Sequence, residues 1–433
     1  MIYLILVFGL ALRLISLNQS LWLDEATSAL AAKMNVAELF TKFLPGDFHP
    51  PLYYLILKLW SGLFGYSEIA LRFPSIIFGI LTIYVVYLIG KSLFSKNVGL
   101  VASLFLATSG LHVYYSQEAR MYSLAALLVS LLTYLFLRKK WFLFSITLAA
   151  LSMTDYISLL IIPVFWLFSL KDWKKLALSH IPIFTLFAVW LPIFLKQLVS
   201  GVSLKDSAWW NILGTATFKN ITLIPTKFIL GRISFDNKFL YAGVVLTAVC
   251  LFGFLLFKAR KGSKLLWSWL VLPILLGVLI SFGIPTLTYF RFIFCLPAFY
   301  LLISNGVEES GKFSKIILIS VISINILSTF YYLTNLRFQR EDWRSAAMAI
   351  GGQKTILPAN SQKEALVYYG KGEQIVDAQD LNSKDREIWL SRYVWEIFDP
   401  KDSVRLKIES LGYNRTRESN FNGVVLYKYA NSN

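Results

Sequence analysis

Met1-Ile-Tyr-Leu-Ile-Leu-Val-Phe-Gly-Leu-Ala-Leu-Arg-Leu-Ile-Ser-Leu17 runs directly into Asn18-Gln-Ser-Leu-Trp-Leu-Asp24-Glu25-Ala26. The first part is apolar apart from Arg13 and approaches the roughly 20 residues that an α-helix needs to cross hydrocarbon. It has neither a basic start nor a small-residue cleavage site, so a retained first span is expected, not a cleaved leader. Two adjacent carboxylates then stand at the expected membrane surface. Such a pair serves either as the acidic first turn of a helix or as a general base beside a second acid whose pKa its environment pushes apart.

Most of the chain up to residue 334 is as apolar as the first part, although no internal repeat stands out. Of 433 residues, 56% are hydrophobic and only 15% charged, and mean hydropathy is +0.60. Soluble domains carry about 25% charged residues, so the composition excludes disorder, a disulfide scaffold and an ordinary cytosolic enzyme. Eleven apolar stretches are expected to be spans, near 1–17, 69–90, 97–114, 119–137, 141–154, 157–170, 177–196, 239–257, 265–284, 287–304 and 314–334. Residues 335–433 differ: they hold 28 of the 67 charged residues. The expected organisation is a membrane module over 1–334 and a small soluble α/β domain over 335–433. Within the latter, Ala365–Tyr369 and Gly423–Tyr429 read as strands and Arg386–Phe398 as a helix. Cys250 and Cys295 both lie in apolar runs and suggest neither a disulfide nor a metal site.

Charge placement orients the spans. Lys91, Lys96, Arg138, Lys139, Lys140, Lys171, Lys174, Lys175, Lys258, Arg260, Lys261, Lys264, Lys312 and Lys315 fall in five alternate short loops, opposed only by Asp172, Glu308 and Glu309. That is a strong positive-inside pattern. It accounts for the net charge of +17 without nucleic acid, for which no motif is present. The long loops 18–68 and 197–238, the tail and nine of the twelve acids in residues 1–334 then share the extracytoplasmic side. In the first of these loops Val36–Phe43 and Leu52–Phe64 are amphipathic and suit helices lying in the interface.

Four motifs could carry chemistry on that side: Leu23-Asp24-Glu25; His49-Pro-Pro-Leu-Tyr53-Tyr54; Tyr114-Tyr115-Ser-Gln-Glu118-Ala-Arg120-Met-Tyr122; and Thr288-Tyr289-Phe-Arg291-Phe. An arginine at this depth can hold a phosphate through a bidentate fork or simply snorkel. The tyrosines can equally form an interfacial belt. Arg72 and Asp155 complete the set, and Arg291 needs an anionic partner, such as a lipid phosphate, Glu118 or Asp155. Glu25 with His49 could hold a divalent metal, although one carboxylate and one imidazole make a thin ligand set.

In order, Leu-Asp-Glu, His-Pro-Pro-Leu-Tyr-Tyr, Leu71-Arg72-Phe73-Pro74 and Ser116-Gln-Glu-Ala-Arg-Met-Tyr122 resemble the GT-C glycosyltransferases that use polyprenyl-phosphate sugars. The protein O-mannosyltransferases and aminoarabinose lipid A transferases are the most similar groups. Glu341-Asp342-Trp343-Arg344 also occurs in prokaryotic members. The resemblance covers most of residues 1–345. It implies a GT-C fold of about eleven transmembrane helices and an inverting transfer of a sugar from a lipid-phosphate donor to a lipid, protein or glycan acceptor. It also implies that Asp24 is the base with Glu25 beside it, that Arg120 and Arg291 contact the donor phosphate, and that His49, Tyr53, Arg72, Tyr115, Glu118, Tyr122, Asp155 and Tyr289 contact substrate. Residues 335–433 resemble neither the β-trefoil domain of eukaryotic protein mannosyltransferases nor the longer tail of the aminoarabinose enzymes, which leaves the acceptor open. A flippase or transporter is the competing class. It would place ionisable groups near the bilayer midplane, on broken helices within repeats.

Overall fold

The structure is a computed structural model and describes residues 1–206, 209–261, 263–358, 362–381 and 385–431. Every stretch expected to span is helical. The first seven helices that matter for the site are α1 (Ile2–Leu14), α2 (Leu23–Lys33), α3 (Leu52–Phe64), α4 (Glu68–Leu93), α5 (Lys96–Thr108), α6 (Gly110–Ser116) and α7 (Tyr122–Leu137). Among the described residues five helices are long and apolar enough to cross a membrane: 68–93, 173–203, 238–258, 289–308 and 311–334. The α5–α6 pair makes a sixth if its 64° bend is counted within one span. The other apolar helices, α1 among them, have 10–17 residues. At 1.5 Å per residue the thirteen residues of α1 reach about 20 Å, less than a ~30 Å hydrocarbon core. Length and composition therefore give an integral membrane protein with five or six full-length spans and shorter apolar helices beside them, not eleven of equal standing.

Small residues let the helices approach. A Cβ on Gly90 would sit 2.6 Å from the Cα of Gly99, so α4 and α5 touch backbone to backbone. The α5–α6 bend has a cause in side-chain chemistry. Breaking a helix in an apolar setting frees carbonyls that must find donors. Here Arg13 Nη1 donates to Ala107 O at 3.1 Å, Asn325 Nδ2 to Phe105 O at 3.1 Å and Thr329 Oγ1 to Thr108 O at 2.7 Å. Ser109 caps the new helix by accepting from the His112 amide. The bend sends the chain into a tight turn at residues 117–121, where Glu118 and Arg120 sit.

The tail forms a five-stranded sheet of order β2-β1-β3-β5-β4. The strands are β1 (Lys354–Ile356), β2 (Ile375–Val376), β3 (Glu387–Ser391), β4 (Tyr413–Phe421) and β5 (Val424–Asn431). β1 is parallel to β2 and β3, and β5 is antiparallel to β3 and β4. Asn422-Gly423, both at positive φ, make the tight turn of the β4–β5 hairpin. The strand expected at the end of the chain is therefore present, but two other expectations fail. Residues 364–368 are a helix, stopped by Gly370 at φ 74°. Residues 387–391 are the central strand, and only 395–398 are helical. β3 shows no alternation because Ile388, Trp389, Leu390 and Ser391 are all buried, the pattern of a strand covered on both faces.

Candidate active site

The turn from α1 into α2 is held from beneath by one buried ion cluster. Arg72 on α4 donates through Nε and Nη2 to both carboxylate oxygens of Glu25, at 2.8 and 2.5 Å. Its Nη atoms also bond the carbonyls of Leu17, Gln19 and Ser20. The Ala119 amide donates to Glu25 Oε1 at 2.9 Å, and Arg340 Nε lies 3.2 Å from Oε2. Burial by itself would raise the Glu25 carboxyl, but Arg72 and Arg340 bring it below the ordinary glutamate range. A buried carboxylate is tolerated when paired and hydrogen-bonded in this way.

The Asp24 side chain points elsewhere and is 43% exposed. It lies in the first turn of α2, with Oδ2 3.9 Å from Arg120 Nη2. Arg120 is 4% exposed, yet its guanidinium is poorly satisfied. Nη1 reaches Ser28 Oγ and Tyr54 Oη at 3.4 Å each, and Nη2 reaches His49 Nδ1 at 3.4 Å. Nε has no hydrogen-bond partner among the described residues. Beyond these contacts Tyr54 donates to Asp47 Oδ2 at 2.6 Å, and His49 Nδ1 is 3.5 Å from Asp47 Oδ1. Burial would raise Asp47, but His49, then Arg120 and the Tyr54 hydroxyl, hold it down to about 2. A buried guanidinium with long contacts and an unused Nε can hold an anion.

Two further cations face the same recess. Arg291 Nη1 donates to the Leu213 and Pro285 carbonyls at 3.2 and 3.0 Å, and no ion pair of this arginine occurs among the described residues. Arg232 donates to the Tyr114 hydroxyl and stays open to solvent, although protein atoms surround it closely. Its guanidinium and that of Arg340 each lie 4.4 Å from the Tyr114 ring centroid. Glu118 Oε1 accepts from the Trp22 indole at 3.1 Å, whereas Oε2 is buried without a hydrogen bond, 4.0 Å from Arg340. Burial pushes its carboxyl up to about 7. Tyr115 and Tyr122 pack edge to face at 5.3 Å, and Phe290 covers both.

Several expected residues have other duties. Tyr53 bonds Ser75 Oγ at 3.1 Å, and its neighbour Tyr54 is the tyrosine that meets Arg120. Consecutive helical residues point about 100° apart, so only one of the two can face the site. The Asp155 carboxylate accepts from the Ser158 amide at 2.8 Å and starts the 157–161 turn; it attracts Arg291 without a direct ion pair. Arg72 and Glu25 are bonded to each other. A divalent metal on Glu25 and His49 does not fit: Glu25 already has two guanidinium partners and an amide, and His49 belongs to Asp47 and Arg120. Among the described residues no group of three or more His, Cys, Asp or Glu could hold a metal ion.

Arg232 and Arg340 were not singled out from the sequence, and Tyr54 was quoted in its motif without being named a substrate contact. Both arginines stand beside apolar runs, but acids follow closely, Asp236 after Arg232 and Glu341-Asp342 after Arg340, so local charge does not mark them.

Comparison with known proteins bears on the fold. Residues 48–199 match the family model described as dolichyl-phosphate-mannose-protein mannosyltransferase, which takes in the His49, Arg72, Glu118 and Arg120 motifs. An uncharacterized protein of Aquifex aeolicus is 31% identical over 144 residues, 31% of this chain and 28% of that protein's length, so the match spans less than a third of that relative. ArnT from Cupriavidus metallidurans superposes with a TM-score of 0.61 at 10% identity, over 98% of this chain and 97% of that one. Its complex with undecaprenyl phosphate gives 0.60 at 11% identity over the same shares. The Archaeoglobus fulgidus oligosaccharyltransferase, in complex with Zn and sulfate, gives 0.57 at 13% identity over 99% of this chain and 73% of that one. The fold is thereby set: over nearly its whole length the chain shares the GT-C fold of these solved structures. The family match over residues 48–199 agrees with the resemblance to protein mannosyltransferases read from the motifs.

Proposed function

We propose that this protein is an inverting glycosyltransferase that moves a sugar from a polyprenyl-phosphate donor to an acceptor hydroxyl. The observation that carries the proposal is the buried Arg120 guanidinium, with its bare Nε, 3.9 Å from the partly exposed Asp24 carboxylate. It sets a place for a phosphate beside a place for a base. Asp24 takes the proton of the acceptor hydroxyl. The acceptor oxygen bonds to the anomeric carbon as the bond from that carbon to the phosphate oxygen breaks, and polyprenyl phosphate leaves. The centre inverts through an oxocarbenium-like transition state, as in glycosidases. Arg120, with Arg291 and Arg232 facing the same recess, neutralises the charge that grows on the leaving phosphate. Among the substrate contacts, His49 and Tyr54 orient Arg120, and Tyr115, Tyr122 and Tyr289 wall the sugar. No step runs through a metal ion.

In this reading residues 1–334 form the membrane module and 335–433 a soluble domain over the site, both facing the extracytoplasmic side, with the basic loops in the cytoplasm. The competing transporter reading needs ionisable groups along the midplane, whereas Asp24, Glu25, Asp47, Glu118, Arg120, Arg232 and Arg340 gather at one end of the bundle. The test is transfer of radiolabel from a panel of polyprenyl-phosphate sugars to envelope lipids, glycans and proteins. Label should move from at least one donor. Neither transfer nor binding with any donor would overturn the proposal in favour of transport.

A further inference from the structure

The helix that carries Asp24 begins without a side-chain cap: Trp22 occupies the cap position, and its indole, a donor only, makes no capping hydrogen bond. A helix N-terminus normally relies on such a cap to fix the chain's entry. Here the entry segment, Asn18–Leu21, is held by Arg72 from α4 and also by residues more than 300 positions later. The Tyr369 hydroxyl accepts from the Leu21 amide at 2.8 Å and from Ser20 Oγ at 3.1 Å, and donates to Glu68 Oε1 at 3.1 Å. That uses its one proton and both lone pairs. Glu68 Oε1 also accepts from Arg344 Nε at 3.1 Å and pairs with Nη2 at 2.8 Å. Arg344 in turn gives its amide to Ser20 Oγ at 3.0 Å and Nη2 to Asn18 O at 2.7 Å. Arg340 adds its amide to Gln19 Oε1 at 3.0 Å. Asn18, Gln19, Ser20 and Leu21 are thus each tied to the chain beyond residue 335, immediately before the residue assigned as base.

We infer that Tyr369, acting with Arg344 and Glu68, is a positioning residue for Asp24: the C-terminal segment sets where the carboxylate stands relative to Arg120. The inference rests on the reading of Asp24 as the base. It gives Arg344 of the Glu341-Asp342-Trp343-Arg344 motif a definite task, and makes residues 335–433 a working part of the catalytic centre. A base displaced by about 1 Å can cost up to 10²-fold in rate, while the donor, held by Arg120, keeps its affinity.

The experiment compares wild type, Tyr369→Phe, Asp24→Asn and the double variant, each full length in detergent, for kcat and for binding of polyprenyl phosphate. Tyr369→Phe should lower kcat by roughly 10- to 100-fold and leave polyprenyl-phosphate affinity within about twofold. In the Asp24→Asn background it should cost nothing further, because residues that act through one another are not additive. Wild-type kcat in Tyr369→Phe, loss of affinity in step with kcat, or multiplicative losses in the double variant would each overturn the inference. If Tyr369→Phe does not fold, or Asp24→Asn leaves no measurable residue of activity, Glu68→Gln decides through the same split between kcat and affinity. Wild-type turnover by Asp24→Asn would instead sink the base assignment on which the inference rests.

Discussion

Asp24 and Glu25 are adjacent in the chain and opposite in circumstance. The Asp24 carboxylate is 43% exposed and stands 3.9 Å from Arg120, while Glu25 has no exposed surface and is joined to Arg72 at 2.5 Å. The α2 backbone separates them by about 100°, which suffices to put one in the recess and the other in the buried ion cluster.

Glu25→Gln should therefore damage the fold more than the chemistry. It leaves Arg72 and Arg340 buried without their counter-charge, and breaking such a pair from one side costs about 3–5 kcal/mol. A fall of that size in stability toward denaturant, or failure to purify a folded protein, is expected. A stable Glu25→Gln protein that has lost only turnover would contradict this role.

Arg120→Lys should lose transfer with the fold intact. A lysine keeps the charge but not the planar fork, and loss of one donor from an oxyanion site costs about 10²–10³ in kcat. Single-turnover rates with saturating donor measure this. A rate within a few-fold of wild type would remove Arg120 from the phosphate.

Glu118 gives the protein a pH signature. Burial raises its carboxyl from the ordinary 4.5 to about 7, so between these values the native state holds a proton that the unfolded chain has released. The stability that this proton confers is fully present below about 4.5 and is lost as pH rises through about 7. Glu118→Gln should remove this fall. Melting temperatures of both proteins across that range are the measurement, and parallel curves would contradict the assignment.

Much of this was legible because it was local. Apolar run length located the helices, and the residue order around Asp24, His49, Glu118 and Arg120 pointed to side chains that the fold brings close together. What escaped depended on partners distant in sequence. Glu25 looked like half of a catalytic pair because Arg72, Ala119 and Arg340 come from three other segments. Asp155 attracts Arg291 as its charge suggests, but its hydrogen bond to the Ser158 amide, three residues on, was not foreseen. Tyr53 and Tyr54 could not be told apart without knowing the rotation of α3. The helix at 364–368 was read as a strand because Ala365, Leu366, Val367, Tyr368 and Tyr369 look apolar and aromatic. Its real signal was Gly370, the residue that stops it.

The most direct test is Asp24→Asn, followed by single-turnover transfer and by donor binding on the same preparation. The account predicts that the donor binds as to wild type while transfer falls by at least about 10²-fold, the low end for removing a general base. Transfer at the wild-type rate with intact binding would contradict it, and the base would have to be sought elsewhere in the recess.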